Sequence, residues 1–215
     1  MQSQKISHIR WGIFVLPLAG LITALSLLLR GPLTLPNDNL LGFIKIASDP
    51  NFIPIWILLF LGSFLSVFGI LALYGFLRYE MKDKTSLAAM VLSIAGLLFF
   101  IPTTGILTFS APIVAELYIQ GQTAAVQVIS STFASPITVG FLILSGILYT
   151  AGSILFALAI KRSKVISTIP GILFAIHGPL VTFGAATAYA GELLGGFLLL
   201  ISGLWIAWSV WKYLK

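Results

Sequence analysis

Ionisable side chains are rare in this chain, so those set among apolar neighbours are where chemistry would have to reside. The stretch Phe174-Ala175-Ile176-His177-Gly178-Pro179 puts an imidazole inside an uncharged run, with a proline two residues later. A titratable group deep in an apolar helix costs roughly 3 kcal/mol unless it finds a partner. Three chemistries suit His177: axial ligation of a haem or chlorin, proton relay, or hydrogen bonding to a quinone or other polar-headed lipid. The structural alternative is a neutral ring bonded to a carbonyl freed by a proline kink, or to a Ser or Thr of a neighbouring helix. A bis-histidine haem is disfavoured, because the only other histidine, His8, precedes the first apolar run.

The remaining candidates are charges at the ends of apolar runs. Glu116 and Glu192 end two such runs on one side of the chain's threading, and Arg30 ends the first on the same side. One reading gathers them at the mouth of an outward-facing cavity that takes a cation, a lipid headgroup or a substrate amine. The other leaves each exposed at the interface, snorkelling to water. No catalytic or metal-binding set emerges. There is no cysteine, no lysine, Asp or Glu inside any apolar run, and no nucleotide fingerprint. Leu144-Ser145-Gly146 and Ile201-Ser202-Gly203 lack the first glycine of an intramembrane serine-protease motif. The chain is therefore expected not to be an enzyme, and no cofactor identity follows.

The elements that must position these residues are set by composition. Of 215 residues, 59% are hydrophobic and 8% charged, against roughly 25% charged in a soluble domain. Six charge-free runs, 11–29, 55–77, 87–109, 137–160, 165–190 and 193–211, are long enough to cross about 30 Å of hydrocarbon as helices. They lack the alternation of barrel strands, and lipid demands that backbone groups bond internally. An all-α, six-span bundle forming a single membrane domain over 1–215 is expected. The first run is too long for a secretory h-region and Leu28-Leu29-Arg30-Gly31 offers no cleavage site, so it is expected to be retained.

Lys5, Arg10, Arg78, Lys82, Lys84, Lys161, Arg162, Lys164, Lys212 and Lys215 fall on one side of that threading. The positive-inside rule then puts both termini in the cytoplasm, with the chain multi-pass in the plasma (inner) membrane. The formal net charge of +6 is read as this topology signal, and nucleic acid is not an expected partner. Trp11, Trp56, Trp205, Trp208, Trp211 and Tyr213 are expected at the interfaces. In the outer connections, apolar Leu40–Ala47 suits two helical turns. Residues 112–133 carry Glu116, Gln120, Thr123, Gln127 and Ser130 on one helical face, which predicts an outer amphipathic helix.

The chain also reads as two similar units, Pro54 to Glu116 and Pro136 to Glu192. Gly69 matches Gly152, Arg78 matches Lys161, Pro102 matches Pro179, and Ala115-Glu116-Leu117 matches Gly191-Glu192-Leu193. Such units would be parallel two-helix repeats. Pro102 and Pro179 each remove a backbone hydrogen bond and predict helix kinks. Two residues before the proline stands Phe100 in one unit and His177 in the other. The candidate ligand-binding residues are thus His177, Phe100, Glu116, Glu192 and Arg30.

Gly152, Ser153, Leu155 and Phe156, the Lys161-Arg162-Ser163 turn and Pro170-Gly171 resemble a pattern in uncharacterised six-helix bacterial and cyanobacterial membrane proteins. The likeness is clearest over Gly152 to Pro179, with Lys164–Thr168 departing from the usual Leu-Pro after the turn. It implies the six-helix architecture and imports no catalytic residues. The expected function is a non-catalytic membrane protein that binds an apolar ligand (lipid, quinone or pigment) or serves as a subunit of a larger membrane complex. Membrane lipid, partner subunits or a second copy are its expected partners. The alternative is a small transporter with a two-repeat core and an outward gate.

Overall fold

The computed structural model describes residues 2–81 and 84–214. Met1, Lys82, Asp83 and Lys215 lie outside the described residues, as do the side chains of 2–6 and 185–187. Two of the basic residues used for orientation, Lys82 and Lys215, therefore lie outside, and Lys5 is described in its backbone alone.

Every regular element among the described residues is a helix: α1 (Gln2–Gly12), α2 (Val15–Arg30), α3 (Leu40–Ala47), α4 (Phe52–Met81), α5 (Lys84–Ile119), α6 (Ala124–Ala134), α7 (Pro136–Ser163), α8 (Thr168–Thr187) and α9 (Tyr189–Tyr213). Five stretches are long and apolar enough to cross a membrane: Ser7–Arg30, Phe52–Met81, Lys84–Ile119, Pro136–Ser163 and Tyr189–Tyr213. The chain is an all-α membrane protein. α8 is a shorter apolar helix between α7 and α9.

Helix boundaries follow local chemistry. Pro17 has no N–H for the carbonyl of Ile13, which accepts from Leu16 instead, so α1 and α2 are separated by a turn. Asn39 caps α3 by accepting from the Gly42 N–H at 2.9 Å. α5 continues through Pro102 and Pro112 for 36 residues, roughly 54 Å at 1.5 Å per residue, well beyond the hydrocarbon thickness. The expected outer helix over 112–133 is accordingly divided. Its first part is the end of α5, and Gly121, at φ 86°, turns the chain into α6.

Side-chain ties fix which helix ends lie together. At the basic end the Tyr213 hydroxyl donates to Glu80 Oε2 at 2.9 Å, and Arg162 Nη1 donates to Thr85 Oγ1 at 2.7 Å. The Arg10 guanidinium stands 3.7 Å from the Trp211 ring centroid, and Trp11 meets Trp211 edge-on at 4.9 Å. At the opposite end, labelled outer after the sequence expectation, the Tyr189 hydroxyl donates to the Leu27 carbonyl at 2.8 Å. α8 therefore ascends from the basic end, where Phe174 meets Phe156, to the outer end, where Gly184 meets Glu192.

Helices in lipid gain their association from close contact, and small residues supply it. A Cβ on Gly69 would come within 2.8 Å of Leu16 Cα, and one on Gly152 within 2.6 Å of the Ser93 backbone nitrogen. The two repeat-matched glycines thus both mark backbone crossings, against α2 in one case and α5 in the other. Two apolar clusters result. One, at the basic end, centres on Leu16, Phe76, Phe156 and Ile206. The other joins α3 and α6 to the outer ends of α4 and α5 through Phe43, Trp56, Leu107 and Ile129. Trp56 corrects the interfacial expectation: it is 4% exposed and turned inward, whereas Trp11 and Trp208 face outward.

Candidate functional site

A cavity of about 300 Å3 lies between the two clusters. Trp56 and Ser66 on α4 both face it, so at 1.5 Å per residue it runs about 15 Å along the bundle. Its roof, at the outer end, is made by Arg30, Glu192, Trp56, the 31–39 loop through Leu33 and Leu35, and Phe133 of α6. Its floor is made by Ser66, Gly96, Ser145, Tyr149 and His177, with Phe100 on the wall between. On the α7 side it is bounded by Leu142 and Ile143, which lie in a segment, 139–144, exposed on every face.

The roof is built by helix ends. Gly31, at φ 68°, stops α2 just after Arg30, and the break at Ala188 starts α9 so that Glu192 falls in its first turn. A cation at a helix C-terminus and a carboxylate at an N-terminus each suit the backbone dipole. Arg30 Nη2 donates to Glu192 Oε2 with both side chains under a tenth exposed, and its Nε donates to the Gly31 carbonyl at 3.1 Å. The Trp56 ring lies 5.5 Å from the guanidinium. Removing either partner of a buried ion pair costs about 3–5 kcal/mol, since the survivor keeps an unneutralised charge.

Glu116 is not part of this roof. On α5 the inward face is Ala111, Val114 and Ala115, and the next residue turns away; Glu116 is exposed and accepts from Gln120 Nε2 at 3.3 Å. The expected trio is thus a pair, with the third member on the outer surface.

His177 on the floor is fully buried. Its Nδ1–H donates to the Phe174 carbonyl, which leaves the Nε2 lone pair of a neutral ring to accept from the Tyr149 hydroxyl at 3.1 Å. The expected structural partners, a carbonyl freed by proline or a Ser or Thr of a neighbouring helix, are replaced by the Phe174 carbonyl and a tyrosine of α7. Pro179 frees Ala175, and that carbonyl shares, at 3.3 Å, the Ser153 hydroxyl proton that α7 directs to the Thr150 carbonyl at 2.8 Å. With both ring nitrogens engaged, axial ligation would require Nε2 to release the phenol. In α5 the Phe100 carbonyl accepts from Thr103 at 2.7 Å and Thr104 at 3.1 Å, hydroxyls that satisfy the backbone just around Pro102.

Of the five expected ligand-binding residues, Arg30, Phe100, His177 and Glu192 line this one cavity. Among the described residues no three His, Asp or Glu side chains converge as a metal site would require. Sequence reading missed Tyr149 and Trp56. The signal for Tyr149 was there: Ser145, Tyr149, Gly152 and Phe156 recur at helical spacing on α7, and all four are buried. Trp56 had none, because an inward and an interfacial tryptophan look alike at a helix end. No protein family, curated protein or solved structure matches the chain.

Proposed function

We propose that the chain is a non-catalytic, six-span protein of the plasma membrane that holds one lipophilic ligand, a lipid, quinone or pigment, in this cavity, alone or inside a larger membrane assembly. The observation that carries the reading is the convergence of Arg30, Phe100, His177 and Glu192 on a single, mostly apolar cavity. Its volume is at the lower end of the roughly 300–1,000 Å3 of small-molecule sites, and such sites combine apolar walls with a few convergent polar groups. The exposed outer half of α7 gives a lipophile a route from the bilayer. α8 counts as the sixth crossing because its 20 residues span about 30 Å. Cytoplasmic termini rest on the basic residues gathered at one end.

The test is purification in mild detergent followed by native mass spectrometry and organic extraction. A lipophile in about equimolar amount is expected in the native chain and depleted in Ser66→Phe, which fills the floor. A native protomer carrying nothing that the variant lacks would end the proposal.

A small transporter is the second reading. It draws on the Arg30–Glu192 pair, a buried tie between α2 and α9 over the outer end of the cavity. Single cysteines at Thr103 and Val181, in a chain with no cysteine of its own, would then react alternately from the two sides. Labelling from one side in all conditions would exclude it.

A further inference from the structure

We infer that the polar group of the occupant seated at the cavity floor is an uncharged hydrogen-bond donor, an alcohol, rather than a quinone or ketone carbonyl. The inference rests on the ligand-binding reading above and adds to it the chemical class of the ligand.

The argument is a count of protons. A hydroxyl has one proton and two lone pairs, and in an apolar helix the proton goes first to the backbone. Ser63 donates to the Leu59 carbonyl at 3.0 Å and Ser66 to Gly62 at 2.9 Å. Thr103 and Thr104 both donate to Phe100, and Ser145 reaches across from α7 to the Gly96 carbonyl of α5 at 2.8 Å. Tyr149 spends its proton on His177 Nε2, because the Phe174 carbonyl holds the other ring nitrogen as the donor. All of these side chains line the cavity. What they leave toward its deep half is lone pairs.

Thr182 likewise gives its proton to the Gly178 carbonyl at 2.9 Å. The donors on the lining lie above the floor: the Thr23 hydroxyl beside Gly62, one turn above Ser66, and the Trp56 indole and Arg30 guanidinium at the roof, the last already on Glu192. A carbonyl placed at the floor would set acceptor against acceptor and would displace water that can donate. An alcohol supplies the missing proton. A charged head fits worse. An anion would meet the same lone pairs, and an ammonium would be unneutralised, since the carboxylate on the lining, Glu192, is at the roof and paired.

The experiment uses the full chain in phosphatidylcholine nanodiscs and the fluorescence of Trp56, isolated as the difference from Trp56→Phe. The quenchers are ω-bromododecanol, its methyl ether, the matching methyl ketone and the matching amine. Saturable quenching by the alcohol is expected at concentrations about tenfold below those for the ether or ketone, the worth of one hydrogen bond to a buried acceptor. Equal or tighter binding of the ether, ketone or amine overturns the inference and leaves the ligand-binding reading standing. Absence of saturable Trp56 quenching by all four overturns both. His177→Phe releases the Tyr149 proton into the cavity, so the alcohol-to-ketone preference should shrink toward one. An unchanged preference in the folded variant removes the Tyr149–His177 pair from the argument, and the comparison in the native chain stands whether or not this variant folds.

Discussion

The units Pro54 to Glu116 and Pro136 to Glu192 share a proline inside a helix, a glycine at a crossing and a closing glutamate, yet the structure uses them differently. The glycines are alike in role. The prolines are alike in position, but the carbonyl region near Pro102 is served by threonines of α5 itself, whereas the carbonyl freed by Pro179 is served by Ser153 from the neighbouring helix. The glutamates part company: Glu192 is buried on Arg30, and Glu116 stands in the open. Similar spacing along the chain therefore preserves backbone devices, while side-chain roles depend on which helix lies opposite.

The sharpest way to break this comparison is through the glutamates. Glu192→Ala should destabilise by about 3–5 kcal/mol in equilibrium unfolding in mixed micelles, because it strands Arg30, whereas Glu116→Ala should fall within about 0.5 kcal/mol. Removing both charges, as Arg30→Met with Glu192→Leu, should recover most of the loss; similar costs for the two glutamates would erase the distinction. The glycines test the shared part. Gly69→Ala and Gly152→Ala should each cost up to about 3 kcal/mol by forcing helices apart, and a silent substitution at either would mean that the crossing is not tight.

The residues before the prolines come next. His177→Phe copies the other unit and leaves the Tyr149 hydroxyl without its acceptor, so a loss of about 1–3 kcal/mol is expected in thermal unfolding of the ligand-free protein. Restoring stability by adding Tyr149→Phe would confirm that the pair, and not the ring volume, is responsible. The smallest effect is Ser153→Ala, up to about 1 kcal/mol, from the carbonyls of Thr150 and Ala175 losing the hydroxyl they share. Amide exchange just after Pro179 should quicken with it, and an unaltered rate would assign that carbonyl another partner.

The medium and the helices were legible because long charge-free runs have few other physical outcomes. Arg30, Glu192 and His177 stood out because charge and imidazole are conspicuous among Leu and Ile. What the runs hide is which face turns inward, since lipid-facing and protein-facing surfaces are both apolar. Glu116 and Glu192 therefore looked equivalent, and Trp56 looked interfacial. Hydroxyls and glycines at helical spacing, as in Ser145, Tyr149, Gly152 and Phe156, were the better guide to the inner face.

α2 packs against both α4 and α9, and its terminal Arg30 meets a carboxylate 162 positions later. Chains emerge from the ribosome N-terminus first. α2 must therefore wait in the bilayer, the flank that meets α9 uncovered and its guanidinium unpaired, until α9 has been made. A nascent chain cut short before Glu192 would leave α2 with α4 but without α9, and Arg30 without its carboxylate.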